Sequence, residues 1–288
     1  MRNHILVCPY DRKLLDRMRS KAAVIRVPDI EKAISAYQYA KDAQVMIHCI
    51  LVETQLPLAA IDFITGCENI PLAVYVSGLG NFRDFINKIA VLRKMNLRVF
   101  MPTSPPENFQ SLRIISSLGI DSGVLFMDTD PDWDLLTDLM TYSLLGQAPH
   151  GAIEPFNYIA GHQNSTGGTD FSAVYFRDPS RYLHVDGQGQ VALSGEDLAA
   201  GKFLAVNLDQ HEDIEQSEEY LQRLEGWKEI FLQNEGCAYC QGFRVCLGKF
   251  RNFQSNGQGC KQFFVELMET AEQFQDLEKK RNPPKWQP

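Results

Sequence analysis

What most constrains this chain is an alternation that fills its first half. Six short apolar runs stand out: His4 to Cys8, Ala22 to Val27, Val45 to Leu51, Leu72 to Val76, Leu97 to Met101 and Gly123 to Met127. Each is followed by a stretch of helical character. Asp11 is placed to cap a helix reaching Lys21, and Pro28-Asp29 opens another with Ile30, Ala33, Ile34 and Tyr37 on one face. Further helices are predicted from Thr54 to Thr65 (ended by Gly66), Asn81 to Met95, Pro105 to Leu118 and Asp130 to about Leu145. Strands that are apolar along their whole length are covered on both faces, and helices between them supply the cover. The pattern therefore predicts an α/β fold with a parallel sheet. Right-handed crossovers allow either a barrel-like sheet or a doubly wound one.

The character changes after residue 148. Residues 149–170 are polar and rich in glycine, with His150-Gly151, Gly161-His162 and Asn164-Ser165-Thr166-Gly167-Gly168-Thr169, and read as a linker or as a loop over the barrel mouth. Beyond them, Tyr182 to Val185 and Gln190 to Leu193 are joined through Asp186-Gly187 and predict a hairpin. Phe203 to Leu208 reads as a short strand. Asp213 to Gln233 reads as a helix with Ile214, Tyr220, Leu221, Leu224 and Trp227 apolar, and a last helix runs from Cys260 to about Lys280. The tail from Asn282 to Trp286 reads as loose. The expected divisions are 1–148, 149–170 and 171–288, the last a small α+β domain rich in cysteine.

Four of the seven cysteines fall in one short window, Cys237, Cys240, Cys246 and Cys260, spaced C-x2-C-x5-C-x13-C; Cys8, Cys49 and Cys67 are scattered through the first quarter. Thiolates close in sequence converge on one centre at little loop-closure cost, and the flanking glycines let the backbone turn tightly. Zinc takes four cysteines tetrahedrally, usually through C-x2-C half-sites. An iron–sulfur cluster also takes four, often with a single such pair. The missing second knuckle leans towards one [4Fe–4S] cluster, with Zn2+ as the alternative. A disulfide framework suits neither a chain this large nor the expected absence of an export signal.

C-x2-C-x5-C followed by Gly248 and a later lone cysteine resembles the C-terminal half of the SPASM domain, the auxiliary iron–sulfur module of peptide-modifying radical SAM enzymes. The resemblance in motif covers the last third of the chain. It implies that Cys237, Cys240, Cys246 and Cys260 bind one auxiliary cluster. The ligands of the family's other cluster are missing: Phe250 stands at the C-x3 position, and Ala192, Leu193 and Ser194 stand where an upstream cysteine follows the hairpin. Six β/α units before a cluster domain also resemble the radical SAM architecture, a partial (β/α)6 barrel. The C-x3-C-x2-C motif of that family is absent, however. The first strand ends Val7-Cys8-Pro9-Tyr10-Asp11, with Cys8 alone. The resemblance thus implies a degenerate, pseudo radical SAM protein that does not cleave S-adenosylmethionine. It implies an accessory role beside a genuine radical SAM enzyme or its peptide substrate, through substrate presentation, complex formation or electron transfer.

Composition narrows the alternatives. A net charge of −8 argues against nucleic acid as a partner. No apolar run reaches membrane-spanning length, and Met1 to Val7 reads as a strand rather than a targeting segment, so a cytoplasmic setting without membrane association is expected. No nucleophile–base–acid set stands out, and no catalytic residue is assigned. Cys8 and Cys49 read as small core residues. Tyr10, Asp11, Glu53, Ser77, Thr103, Asp128 and Asp130 stand at strand ends, where parallel α/β folds bind ligands, although Asp11 and Asp130 equally suit helix capping. Phe243, Phe250, Phe253, Phe263 and Phe264 would pack about the cysteines or form plain core. The alternative functions are an independent redox enzyme or electron carrier, and a binding module with a structural zinc held by the same cysteines.

Overall fold

The computed structural model describes residues 4–63, 66–126, 130–162, 171–208, 214, 216–233, 235–250 and 258–281. Its strands are β1 (Ile5–Pro9), β2 (Ala22–Val27), β3 (Met46–Glu53), β4 (Leu72–Tyr75), β5 (Leu97–Pro102), β6 (Asp121–Leu125), β7 (Ile153–Glu154), β8 (Tyr182–Val185) and β9 (Val191–Ala192). They are hydrogen-bonded in the order β7-β6-β5-β4-β3-β2-β1-β8-β9. The sheet is mostly parallel, with β8 and β9 as the antiparallel pair. The fold is α/β. By compactness the chain forms two units, each assembled from two stretches: Met1–Phe100 with Ser172–Gly226, and Met101–Phe171 with Trp227–Pro288.

In the first unit, capping starts the helices where the sequence expects them. Asp11 accepts from the Leu14 N–H at 2.9 Å and opens α1 (Arg12–Asp16). Asp29 accepts from the Lys32 N–H at 2.8 Å and opens α2 (Ile30–Asp42). Asn81 does the same for α3 (Phe82–Leu92). The buried face of α2 is Ile30, Ala33, Ala36 and Ala40, and these small residues let it lie close on β2 and β3. A helix from Thr54 to Thr65 does not form. One 3-10 turn, Leu58–Ala60, takes its place, and residues 61–63 are not helical, while Ile64 and Thr65 lie outside the described residues. The reason is local. Thr54 Oγ1 takes the Leu56 N–H at 3.1 Å, and Pro57 holds an extended conformation, so the backbone has turned before a helix can start.

Strands β1 to β5 run in chain order. On the other side of β1 the order turns back, with β8 as its neighbour. The register pairs Val7 with Val24, Arg26 with Leu51 and Glu53 with Tyr75, which puts Val7, Arg26, Leu51, Glu53 and Tyr75 on one face.

The predicted hairpin forms, and it belongs to this sheet. β8 pairs in parallel with β1, Ile5 opposite Tyr182, Leu6 opposite Leu183 and Val7 opposite His184. All four residues of β8 are buried, which is the signature of an internal strand. Phe203 to Leu208 contributes only a bridge from Ala205 to Val191. The helix expected from Asp213 begins at Glu218 as α8 (Glu218–Gln233), preceded by α7 (Gly195–Ala199); of the apolar positions expected on α8, Tyr220 is buried, whereas Leu221 and Trp227 are exposed.

In the second unit, α4 (Glu107–Ser117) packs on β6, and α5 (Trp133–Leu145), α6 (Phe156–His162) and α11 (Gln258–Arg281) pack on one another. Residues 149–170, expected as linker or loop, contribute β7 and α6. Ile153, Phe156, Ile159 and Ala160 are core, a helical spacing masked in sequence by the surrounding glycines. Asn164 to Thr169 and the tail from Asn282 lie outside the described residues. Among the described residues no helix is long and apolar enough to cross a membrane.

Removing buried volume from β8 tests its internal position. Leu183→Ala should lower unfolding free energy by about 2–5 kcal/mol, whereas Val206→Ala, on an exposed residue of the same unit, should change it by less than about 0.5 kcal/mol. Equal urea midpoints for the two variants would rule out β8 as a buried strand.

Candidate functional site

Two short helices of the second unit, the turn between them and the start of α11 carry the four cysteines. Cys237 lies on α9 (Glu235–Ala238). The Cys240 N–H donates to the Cys237 carbonyl at 3.0 Å and the Phe243 N–H to the Cys240 carbonyl at 3.0 Å, so the knuckle is two consecutive tight turns. Gly242 opens α10 (Phe243–Cys246), and Cys246 closes it. Leu247 and Gly248 then take left-handed φ values of 48° and 74°, which turn the chain sharply away. A Cβ on Gly248 would collide with Ile230, and one on Gly242 with Phe264. Cys260 stands in the first turn of α11.

The four thiols share one neighbourhood. Burial pushes the Cys246 thiol up to about 12, and the charges of Cys240, Cys237 and Cys260 push the same way. Burial also raises Cys260, again with Cys240 and Cys237 adding to it. The backbone N–H groups of Gly248 and Lys261 reach the sulfurs of Cys246 and Cys260 and offset part of that rise. Cys246 is buried and the other three are half-buried, and no disulfide joins any of the seven cysteines. Among the described residues, no three His, Cys, Asp or Glu side chains stand as close as a bound ion would hold them. The donor set nevertheless fits a thiolate-ligated group in kind: four soft ligands within reach of one another's charge, with amide donors already turned towards two of the sulfurs.

Aromatic rings surround these elements. Phe250 lies 4.9 Å from Phe126, 5.4 Å from Phe264, and 5.7 Å from both Trp133 and Phe171, centroid to centroid. Phe243 packs 5.3 Å from Phe231 of α8, and Phe263 5.5 Å from Trp133. Phe253 lies outside the described residues. Asp130, one of the expected strand-end residues, accepts from Trp133 Nε1 at 2.8 Å, and its charge reaches Cys260; Asp132 is the cap of α5.

The other expected positions are occupied by structure. Cys8, Cys49 and Cys67 are buried, and burial pushes Cys8 and Cys49 up to about 12, so both are protonated core thiols. His150 stacks on Tyr142 and His162 on Tyr158. The Tyr10 hydroxyl reaches the Ser35 carbonyl, and the Ser77 N–H donates to the Leu56 carbonyl. Glu53 pairs with Arg26, Oε2 to Nη2 at 2.7 Å. Thr103 is buried with no hydrogen-bond partner for Oγ1. Asp128 lies outside the described residues.

One functional candidate escapes a sequence reading: His184, in the middle of β8. Its Nε2 lies 3.1 Å from the Phe176 carbonyl. A carbonyl only accepts, so Nε2 carries the proton and Nδ1 presents a lone pair. Nδ1 is buried with no partner in the protein. Only the two-residue alternation of β8 could have pointed to it, and a hairpin at a sheet margin would have placed it in solvent.

Burial lowers His184 from 6.5 to about 4, with Arg26 and Arg177 adding to the fall and the Phe176 bond and Glu196 opposing it. As pH falls, the unfolded chain takes up this proton first. The contribution to stability is therefore complete above pH 6.5 and drains away as pH falls towards 4, by about 3 kcal/mol at most. The difference in unfolding free energy between wild type and His184→Gln should shift against wild type by that order over this window. A pH-independent difference would show that His184 is not held neutral.

Comparison with known protein families and with curated proteins returns no match, so the chemistry rests on the residues themselves.

Proposed function

We propose that this chain is an accessory iron–sulfur protein, related in plan to radical SAM and SPASM peptide maturases, that assists a genuine radical SAM enzyme in modifying a peptide. The observation that carries this reading is the contrast between two sets of cysteines. Cys237, Cys240, Cys246 and Cys260 lie within reach of one another's charge in the second unit, while Cys8, at the end of the first strand, is alone, fully buried and protonated. The residues that would hold a [4Fe–4S] cluster are the four of the second unit. Four protein ligands leave such a cluster no open coordination position, so what it supplies when bound is structural support or one-electron transfer.

The strand order of β1 to β5 supports a barrel-like first half, and the cysteine turns with α11 support a reduced SPASM-like module. The surrounding Phe and Trp rings would keep water from the thiolates and help set a redox potential. Presentation of the peptide, formation of a complex and delivery of electrons are the three forms the assistance takes, and a reducing cytoplasm is the setting that keeps the thiols available. Zn2+ is the alternative occupant, since four thiolates also satisfy a tetrahedral ion.

Metal and sulfide analysis after anaerobic purification separates these readings. About four irons and four sulfides per chain are expected, falling below about one iron in Cys240→Ser. One zinc and no iron would replace the cluster with a structural ion. A Cys240→Ser protein with unchanged metal content would overturn the ligand assignment. Incubated with S-adenosylmethionine and dithionite, the loaded protein should release no 5′-deoxyadenosine; release would overturn the accessory reading.

A further inference from the structure

The face of the first unit's sheet that carries Val7, Arg26, Leu51 and Glu53 lies beneath a cavity of about 80 Å3. β8 adds His184 beside Val7, and Tyr75, Tyr175, Phe176, Arg177, Gly195 and Glu196 contribute the remaining wall. His184 is 7% exposed, and its Nδ1 lone pair has no partner. Gly195 is the nearby cavity-lining residue, so close that a Cβ there would lie 3.7 Å from that nitrogen. Phe176, whose carbonyl fixes the ring, has a φ of 58°, a left-handed conformation that a bulky side chain rarely adopts. The turn that imposes it is held by the Arg177 N–H on the Ser172 carbonyl at 3.0 Å.

The chemistry of the lining narrows the ligand. A buried acceptor nitrogen calls for an N–H or O–H donor. The charges cancel: Arg26 pairs with Glu53 at 2.7 Å and Arg177 with Glu196 at 3.6 Å. A neutral total favours neither a phosphate nor a simple cation, whereas a molecule carrying both signs a few ångströms apart gains from both. The volume is far below the roughly 300 Å3 at which pockets for drug-sized ligands begin, so a head group of a few heavy atoms is what fits.

We propose that this cavity binds a small zwitterionic amino acid, its α-ammonium donating to His184 Nδ1 beside the Glu53 and Glu196 carboxylates and its carboxylate taken by Arg177. The proposal is independent of the cysteine site, which lies in the other unit.

Isothermal titration of the intact protein with L-alanine tests it, with acetate, methylammonium and inorganic phosphate as separate arms. Alanine should bind saturably, and acetate and methylammonium at least about tenfold more weakly, because each keeps only half of the contacts. Arg177→Gln and Glu196→Gln alter side chains that are 58% and 70% exposed, which leaves the core intact; each should weaken alanine about tenfold. In 15N-histidine spectra, the His184 Nδ1 resonance, assigned through its own backbone, should move with alanine and stay in place with phosphate. Phosphate binding more tightly than alanine, an unmoved Nδ1 resonance at saturating alanine, or no saturable uptake of alanine would each overturn the proposal.

Discussion

The parallel pairing of β8 against β1 is the contact on which the first unit depends. It recruits a stretch from late in the chain into a sheet begun at residue 5, and its register decides what that stretch delivers. Side chains alternate along a strand, so a one-residue slip would turn His184 to the opposite face and bring Leu183 or Val185 over the polar residues of β2 and β3. Burial on both faces of β8 opposes such a slip: Tyr182, Leu183 and Val185 are each at most 2% exposed, and exchanging their environments would put the imidazole into an apolar one. Apolar packing of three residues thus fixes the placement of a fourth that is polar.

The same pairing explains why the compact units do not follow the chain as consecutive blocks. A hairpin that paired only with itself would have been free to travel with the cysteine-bearing segment that follows. With β8 hydrogen-bonded to β1, Ser172 to Gly226 belong to the first unit, and from Trp227 the chain returns to the second, which already holds Met101 to Phe171. The second unit completes itself with a stretch that looks unpromising in sequence. Phe156, Ile159 and Ala160 of α6 are buried, α5 and α11 pack on that helix, and the Gln275 amide is tied to the Ala160 carbonyl at 2.7 Å.

Local signals were legible in the sequence, and long-range ones were not. The caps at Asp11, Asp29 and Asn81 and the apolar strands β1 to β6 are written within a few residues of where they act, so spacing reveals them. The helix expected from Thr54 failed because an apolar count ignores the competing Thr54 turn and the extended Pro57. The expected linker failed because glycine and polar residues outnumber the four apolar positions that matter. The cysteine grouping is legible because its members are close in sequence. His184 is not, because its meaning comes from β1, far earlier in the chain, and from the carbonyl of a strained Phe176. A site assembled across a sheet leaves no spacing to read.

That difference in origin has an energetic consequence for the cysteine turns. α9 and α10 are four residues each, far below the length at which a helix stands by itself in water. What orders them is the packing of Phe243 and Phe250 among neighbouring rings and the close seating of Gly242 and Gly248. Burial and the neighbouring thiols raise the proton affinity of Cys246 and Cys260, so ionising these two in place is unfavourable without a cation to offset the charge. An ion that binds the four thiolates removes that opposition and ties three separate elements together, so its binding free energy becomes folding free energy for the segment. The aromatic packing brings the ligands near one another, and the proposed metal would complete their convergence.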